Sequence, residues 1–383
     1  MISMRDLLNW LREREPEIVH LLGRMVGIES PSHEKVAVDR FGSMIASEWR
    51  RRGAGIRLLH QRNFGNHVRA EIWLGRGRPK GQLLVLGHLD TVYPTGTLAK
   101  TAFRVARGCA WGPGAFDMKG GHAIALFAVD ALRALRVPMR KKIIFLWTSD
   151  EEIGSAASRS AIEKAARQSD AVFVLEPAFG GDGRLKTERK GVGEAELIVT
   201  GRSAHAGIDP QRGVNAVHEL ALQIVRLLKL NNPKRGITVQ ANVIAGGSVT
   251  NVVAERARAS IDVRLMRASD ARAVNRKLHA LRPILPGARI EVRGGINRPP
   301  MERTPEAHAL FLHAQELGRK MGISLAEAST GGGSDGNFTA ALGIPTLDGL
   351  GAVGDGAHSP REHIVIRHLP ERAALLAGLL ATL

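Results

Sequence analysis

Three short apolar runs stand out along the chain: Leu83-Leu84-Val85-Leu86, Ile143-Ile144-Phe145-Leu146-Trp147 and Ala171-Val172-Phe173-Val174-Leu175. Each is apolar at consecutive positions and short for a helix, the pattern of a strand buried on both faces of a parallel sheet. Helical patterns at residues 35–52 and 123–135 alternate with them, which predicts βαβ units. Past residue 185 the pattern changes. Segments 195–200, 237–244, 257–265 and 288–292 read as strands, the third alternating clearly, and 215–230 and 270–281 read as helices. Mostly alternating strands with two helices predict an α+β layer with one solvated face. The glycine- and proline-containing stretch 294–300 then returns the chain to the first pattern. The reading is an α/β fold with a mostly parallel sheet flanked by helices, built from residues 1–186 and 299–383, with 187–298 inserted as a second domain. The N-terminal residues 1–15 read as an amphipathic helix through Leu7, Leu8, Trp10 and Leu11.

What these runs end in changes the picture. The first delivers His88 and Asp90, which alternation along an extended chain puts on one side. Imidazole suits zinc, and a nearby carboxylate can hold the other ring nitrogen. The second run ends in Asp150-Glu151-Glu152, three acids that repel one another unless cations sit among them. The third ends in Glu176. Asp117 lies in the glycine-rich Trp111-Gly112-Pro113-Gly114-Ala115-Phe116-Asp117-Met118-Lys119-Gly120-Gly121, where it reads either as a ligand or as an N-cap of the helix that follows. His358 sits in a second glycine-rich loop. Parallel α/β sheets place their sites beyond the carboxyl ends of the strands, so these residues belong to one region. Two histidines, several carboxylates and no cysteine suit two divalent ions with open positions better than a closed structural zinc. Two ions ~3.5–4 Å apart can share a carboxylate and activate a water.

With these residues in place, the chain resembles the dizinc aminoacylase/carboxypeptidase family, most closely its glutamate carboxypeptidase branch. The resemblance runs through Gly87-His88-Leu89-Asp90-Thr91-Val92-Tyr93-Pro94, Asp117-Met118-Lys119-Gly120-Gly121, Asp150-Glu151-Glu152-Ile153-Gly154-Ser155 and Leu175-Glu176-Pro177. It continues through Gly201-Arg202-Ser203-Ala204-His205-Ala206-Gly207, Asp262-Val263-Arg264, Thr330-Gly331-Gly332-Gly333-Ser334-Asp335 and His358-Ser359. It implies that His88 and Glu176 bind one zinc, Glu152 and His358 the other, and that Asp117 bridges them. It further implies that Asp90 orients His88 and that Glu151 is the general base, taking a proton from the metal-bound water and passing it to the leaving amine. The inserted domain is then a lid and dimerisation domain. From it His205 supports the oxyanion in a partner subunit, and Asn251 and Arg264 hold the substrate's terminal carboxylate. Gly332 reads as a close backbone approach to substrate. Arg298 stands near the position of a substrate-facing arginine, with Arg293 as its competitor, and Arg184 stands near that of a pocket lysine. Asp355 departs from the pattern, standing where an apolar or aromatic residue is expected.

The chain has 383 residues and a formal net charge of +17. Between residues 187 and 298, 19 Lys and Arg face 9 Asp and Glu. This reads first as a solvated basic surface and then as attraction for anionic substrates. Nucleic-acid binding ranks last, because aromatics are 4% of residues and no binding motif occurs. No apolar stretch is long enough to span a bilayer, residues 1–15 have no signal-peptide core, and Cys109 is alone, which together predict a cytoplasmic protein. His308 and His313 read as surface residues on one helix, since a spacing of five does not suit a helical chelate. The expectation is a homodimeric, two-zinc hydrolase that cleaves an amide next to a free carboxylate in a small or short peptide-like substrate, releasing C-terminal glutamate or a similar residue. An N-acyl-amino-acid deacylase or desuccinylase is the nearest alternative. A non-catalytic basic binding protein is the alternative of another class.

Overall fold

The computed structural model describes residues 3–383, which divide into two compact units. The first comprises residues 3–188, 303–330 and 334–383, the second residues 189–302 and 331–333. The borders fall two and four residues beyond those read from the sequence, and the glycine triplet 331–333 groups with the inserted unit.

In the first unit a six-stranded sheet runs, in spatial order, Gly55–Leu59, His67–Ile72, Lys142–Thr148, Gln82–His88, Ala171–Val174 and Thr346–Leu347. The last four are mutually parallel and the first two join antiparallel, so the sheet is mixed but mostly parallel. The consecutive apolar residues are explained by burial on both faces. Leu83, Val85, Ile143, Phe145 and Phe173 face a core built with the Lys35–Arg51, Gly120–Ala134 and His368–Thr382 helices. Leu84, Leu86, Ile144, Leu146, Val172 and Val174 face the other way, onto Ile162, Ala166 and Phe338. Burying a side chain of this size contributes about 1.5–3 kcal/mol relative to leaving it exposed, so the strands set the frame and hold their carboxyl ends in place. The N-terminal helix, Met4–Arg12, is followed by a second, Glu15–Val26, that begins with Pro16 in its first turn.

The second unit is a four-stranded antiparallel sheet in the order Thr238–Gly246, Arg256–Leu265, Gly191–Thr200, Arg289–Arg298. The helices Ala216–Leu228 and Ala268–His279 pack against it over Leu197, Val199, Leu220, Ile261, Val263 and Leu278. Two sequence expectations are corrected. The last strand does not stop at Val292 but runs through Gly294 and Gly295 to Arg298. Gly294 takes φ +79°, and a Cβ there would sit 2.4 Å from the Glu194 carbonyl oxygen, so the glycine that reads as a loop residue is needed to keep the pairing. The alternating 257–265 segment also reads as a strand able to pair edge to edge across a two-fold axis. The 256–265 strand is instead interior, paired on both sides, and the sheet's outer strands are Thr238–Gly246 and Arg289–Arg298.

Candidate metal centre

The parallel strands end where the candidate ligands begin. Gln82–His88 closes on His88, Lys142–Thr148 is followed by Asp150 and the tight turn Glu151–Ile153, and Ala171–Val174 is followed by Glu176. Asp117 sits in an irregular turn, Ala115–Lys119, with φ −118° and ψ 94°. The following helix starts at Gly120 with Lys119 at its cap position, so Asp117 is not the N-cap of that helix. Gly114 enters the turn at φ +72°, where a Cβ would press on Thr91 at 2.8 Å.

Asp117 stands between the two histidines. Its Oδ1 lies 3.1 Å from His88 Nε2 and its Oδ2 lies 3.4 Å from His358 Nε2. His88 Nε2 is also 3.5 Å from Glu176 Oε1, and His358 Nε2 is 3.2 Å from Glu152 Oε2. Donor atoms of His88, Glu151 and Glu176 lie within 4.8 Å of one another, as do those of His88, Asp117 and Glu152. The structure therefore brings together all six sequence-predicted residues of this cluster. His88 Nδ1 is 2.9 Å from the Asp90 carbonyl oxygen, a partner that leaves Nε2 for the carboxylates. The Asp90 carboxylate is farther, at 3.5 Å, and accepts from Ser32 Oγ at 2.7 Å and from the backbone N–H groups of Glu151 and Glu152 at 3.2 Å each. Asp90 thus touches His88 mainly through its backbone, while its side chain fixes the Glu151-Glu152 turn.

The electrostatics show a cluster short of positive charge. Burial opposes protonation of His88, yet Asp117 and Asp90 raise its pKa well above the ordinary imidazole value. Hydrogen bonds to Asp117 and Glu152 raise that of His358 to about 10. Burial and the neighbouring Asp117 and Glu151 charges push Glu152 up to about 7 despite its bond to His358. Glu152 Oε1 is buried with no hydrogen-bond partner among the described residues. Crowded carboxylates, an orphaned carboxylate oxygen and a nitrogen–oxygen donor set without sulfur fit a pair of divalent cations.

Other contacts escape sequence reasoning. His122 Nε2 meets the His88 carbonyl oxygen at 2.7 Å, Asp335 accepts from Thr148 and Ser155, and Glu362 binds the Asp117 turn. Their partners lie 34 to 245 residues away, beyond any local signal.

The remaining candidates lie elsewhere in the chain. In the second unit His205 is exposed, its Nδ1 accepting from the Gly207 and Ile208 N–H groups at 3.1 Å each. Its loop meets that of Asn251, whose carbonyl accepts from Ala206. Arg264 donates to Asp262, with Nη2 2.8 Å from Oδ2, and to the Gly331 carbonyl. Gly332 and Gly333 carbonyls accept from Arg189. Arg298 is buried, whereas Arg293 is exposed and paired with Glu291. In the first unit Arg184 pairs with Asp182, exposed Asp355 accepts from its neighbour Gly356, His308 meets Arg303 and His313 meets Thr382.

Comparison with known proteins adds the family. Residues 84–382 match the model of peptidase family M20/M25/M40. The chain is 30% identical over 380 residues to carboxypeptidase G2 of Pseudomonas sp. (strain RS-16), covering 97% of this chain and 90% of that protein. It is 29% identical over 334 residues to succinyl-diaminopimelate desuccinylase of Dechloromonas aromatica (strain RCB), covering 82% and 86%. The fold is similar to that of the M20 family metallo-carboxypeptidase Sso-CP2 from Sulfolobus solfataricus, with TM-score 0.75 at 19% identity over 95% of this chain and 98% of that one.

Proposed function

This chain belongs to peptidase family M20/M25/M40 and is a hydrolytic enzyme, and we propose that it is a two-zinc carboxypeptidase that releases a C-terminal glutamate or similar residue. One observation carries the reading: a single carboxylate, Asp117, faces an imidazole with each oxygen, and Glu151 and Glu152 stand beside it. His88 and Glu176 would hold one ion, Glu152 and His358 the other, and Asp117 both. When bound, the ions activate a water and polarise the scissile carbonyl.

Glu151 takes a proton from the attacking water and delivers it to the leaving amine nitrogen, so that water and amide yield a free acid and a free amine. His205, accepting at Nδ1, carries the proton of a neutral ring on Nε2, the donor a developing oxyanion needs. Asn251 and Arg264 hold the α-carboxylate, and the Gly331–333 backbone lies along the substrate. Among the described residues nothing stands within 4 Å of a Cβ built on Gly331, and Arg189 stands at 4.0 Å from one on Gly332, so packing does not demand glycine at these two positions.

His205 acts on the active site of a second subunit. The free Thr238–Gly246 edge and the exposed apolar residues Leu222, Val225, Leu228, Val243 and Ile244 support a homodimer built on this unit. His205→Ala is expected to keep its metal and lose about 10²–10³-fold in kcat. A fully active monomer at low concentration would remove the cross-subunit role. The lone Cys109 supports a reducing, cytoplasmic setting, and among the described residues no helix is long and apolar enough to cross a membrane.

Similarity to carboxypeptidase G2 spans more of the chain than that to the desuccinylase, which favours a carboxypeptidase over the desuccinylase reading. The two readings separate at the second carboxylate of glutamate. Arg298 is the candidate to bind it, with Arg184 second. In Arg298→Ala, kcat/KM for N-acyl-glutamates is expected to fall at least ~10-fold, about 1.4 kcal/mol, with little change for neutral amino-acid analogues. Equal losses for both classes would favour the deacylase. Assay of the wild type on N-succinyl amines beside N-acyl-glutamates completes the test.

A further inference from the structure

We propose that Glu362 is a positioning residue for the metal pair, holding the turn that carries Asp117 in the shape that lets it serve both histidines. The inference rests on the two-metal reading above and concerns how this chain builds that site.

Glu362 is 2% exposed, and its side chain is spent almost entirely on one segment. Oε1 accepts from the N–H groups of Phe116 and Asp117 at 2.8 Å each, and Oε2 accepts from the Gly114 N–H at 3.0 Å. The Glu362 carbonyl accepts from Gly112. A turn that leaves helical geometry at Asp117 and Met118 cannot satisfy these amides internally. Successive N–H groups converging on one point form a concavity for an anion, and here a side-chain carboxylate fills it. The Asp117 backbone is thereby held at its own amide, on the residue that carries the ligand side chain.

The same carboxylate joins two other ligand-bearing segments. Glu362 stands four residues after His358, at the start of the His363–Val365 strand. The Tyr93 hydroxyl donates to Glu362 Oε2 at 2.5 Å and lies 3.0 Å from the Ser359 carbonyl oxygen. Tyr93 is three residues beyond Asp90. One buried acid therefore connects the segments carrying His88, Asp117 and His358, although it faces none of the metal positions through its own donor atoms. Neutralising it should displace Asp117 relative to His358 and weaken the ion they share.

Glu362→Gln keeps the volume but turns an amide NH2 toward groups that also donate. Metal alone is the probe: chelated protein is titrated with zinc against a competing chelator, and with cobalt for its absorption spectrum. The expected result is a folded protein by circular dichroism whose weaker-binding ion is lost by ~10–100-fold in affinity, with an altered cobalt spectrum. Activity of the fully loaded variant should fall in kcat more than rise in KM. Tyr93→Phe, which leaves the backbone bonds intact, should move metal affinity in the same direction by less. Wild-type affinities and an unchanged cobalt spectrum in Glu362→Gln would overturn the proposal, even with a lowered melting temperature. If that variant does not fold, unchanged metal affinity in Tyr93→Phe overturns it. No substrate is used in the titration, so an error in the proposed specificity leaves this result untouched. A wild type that binds one ion would contradict the two-metal reading, and Glu362 would still be judged on that ion's affinity.

Discussion

Glu151→Gln is expected to lower turnover by about 10²–10⁴-fold while metal content stays at the wild-type level. The glutamine keeps the shape of the side chain and removes its ability to take a proton. Its backbone N–H remains held by Asp90 Oδ1, so the turn should not move. Glu152→Gln differs in kind. Glu152 Oε2 lies 3.2 Å from His358 Nε2, its Oε1 is buried without a partner, and it groups with His88 and Asp117. Replacing an anionic donor by a neutral amide there should release metal, and the loss of activity should follow the loss of ion. Elemental analysis of dialysed protein beside kcat separates the two roles. Equal metal loss in both variants, with neither behaving as a loaded but inactive enzyme, would show that the pair has been divided wrongly.

Removing the metals is expected to abolish hydrolysis and leave the fold largely intact. The reason lies in where the stability resides. The central strands are buried on both faces by apolar side chains from several helices, and this burial does not involve the ligands. The candidate ligands sit in the turns and strand ends around the sheet, where loss of cations would add repulsion among Asp117, Glu152 and Glu176 without opening the core. His88 and His358 can take up protons in their place, as their raised pKa values indicate, and so offset part of that repulsion. Circular dichroism before and after chelation should therefore overlay closely while activity disappears. Collapse of the secondary structure on chelation would make the ions structural.

The sequence is most legible where burial is most uniform. Strands 82–88, 142–148 and 171–174 are buried at nearly every position, so they read as unbroken apolar runs, and their ends announce His88, Glu151, Glu152 and Glu176. Helix Gly120–Ala134 starts three residues before its apolar pattern does, because Gly120, Gly121 and His122 are packed for reasons that periodicity does not encode. Alternation marked 257–265 as half buried but could not say what flanks it. An edge strand and an interior strand of an antiparallel sheet show the same period, and this one proved interior. Glu362 was invisible for another reason. An acid four residues past a histidine looks like ordinary surface charge until folding brings it against amides some 245 residues away. Strand-end chemistry is local and can be read, whereas the contacts that shape it are long-range.

A two-ion centre that cleaves an amide to release glutamate, as proposed above, is tested most directly by metal addition. Zinc should therefore be added back stepwise to the chelated protein while bound metal and glutamate release from an N-acyl-glutamate are measured in the same samples. Activity is expected to rise with bound zinc and to reach its plateau at about two ions per chain. Full hydrolytic activity in protein that elemental analysis finds free of transition metal would contradict it.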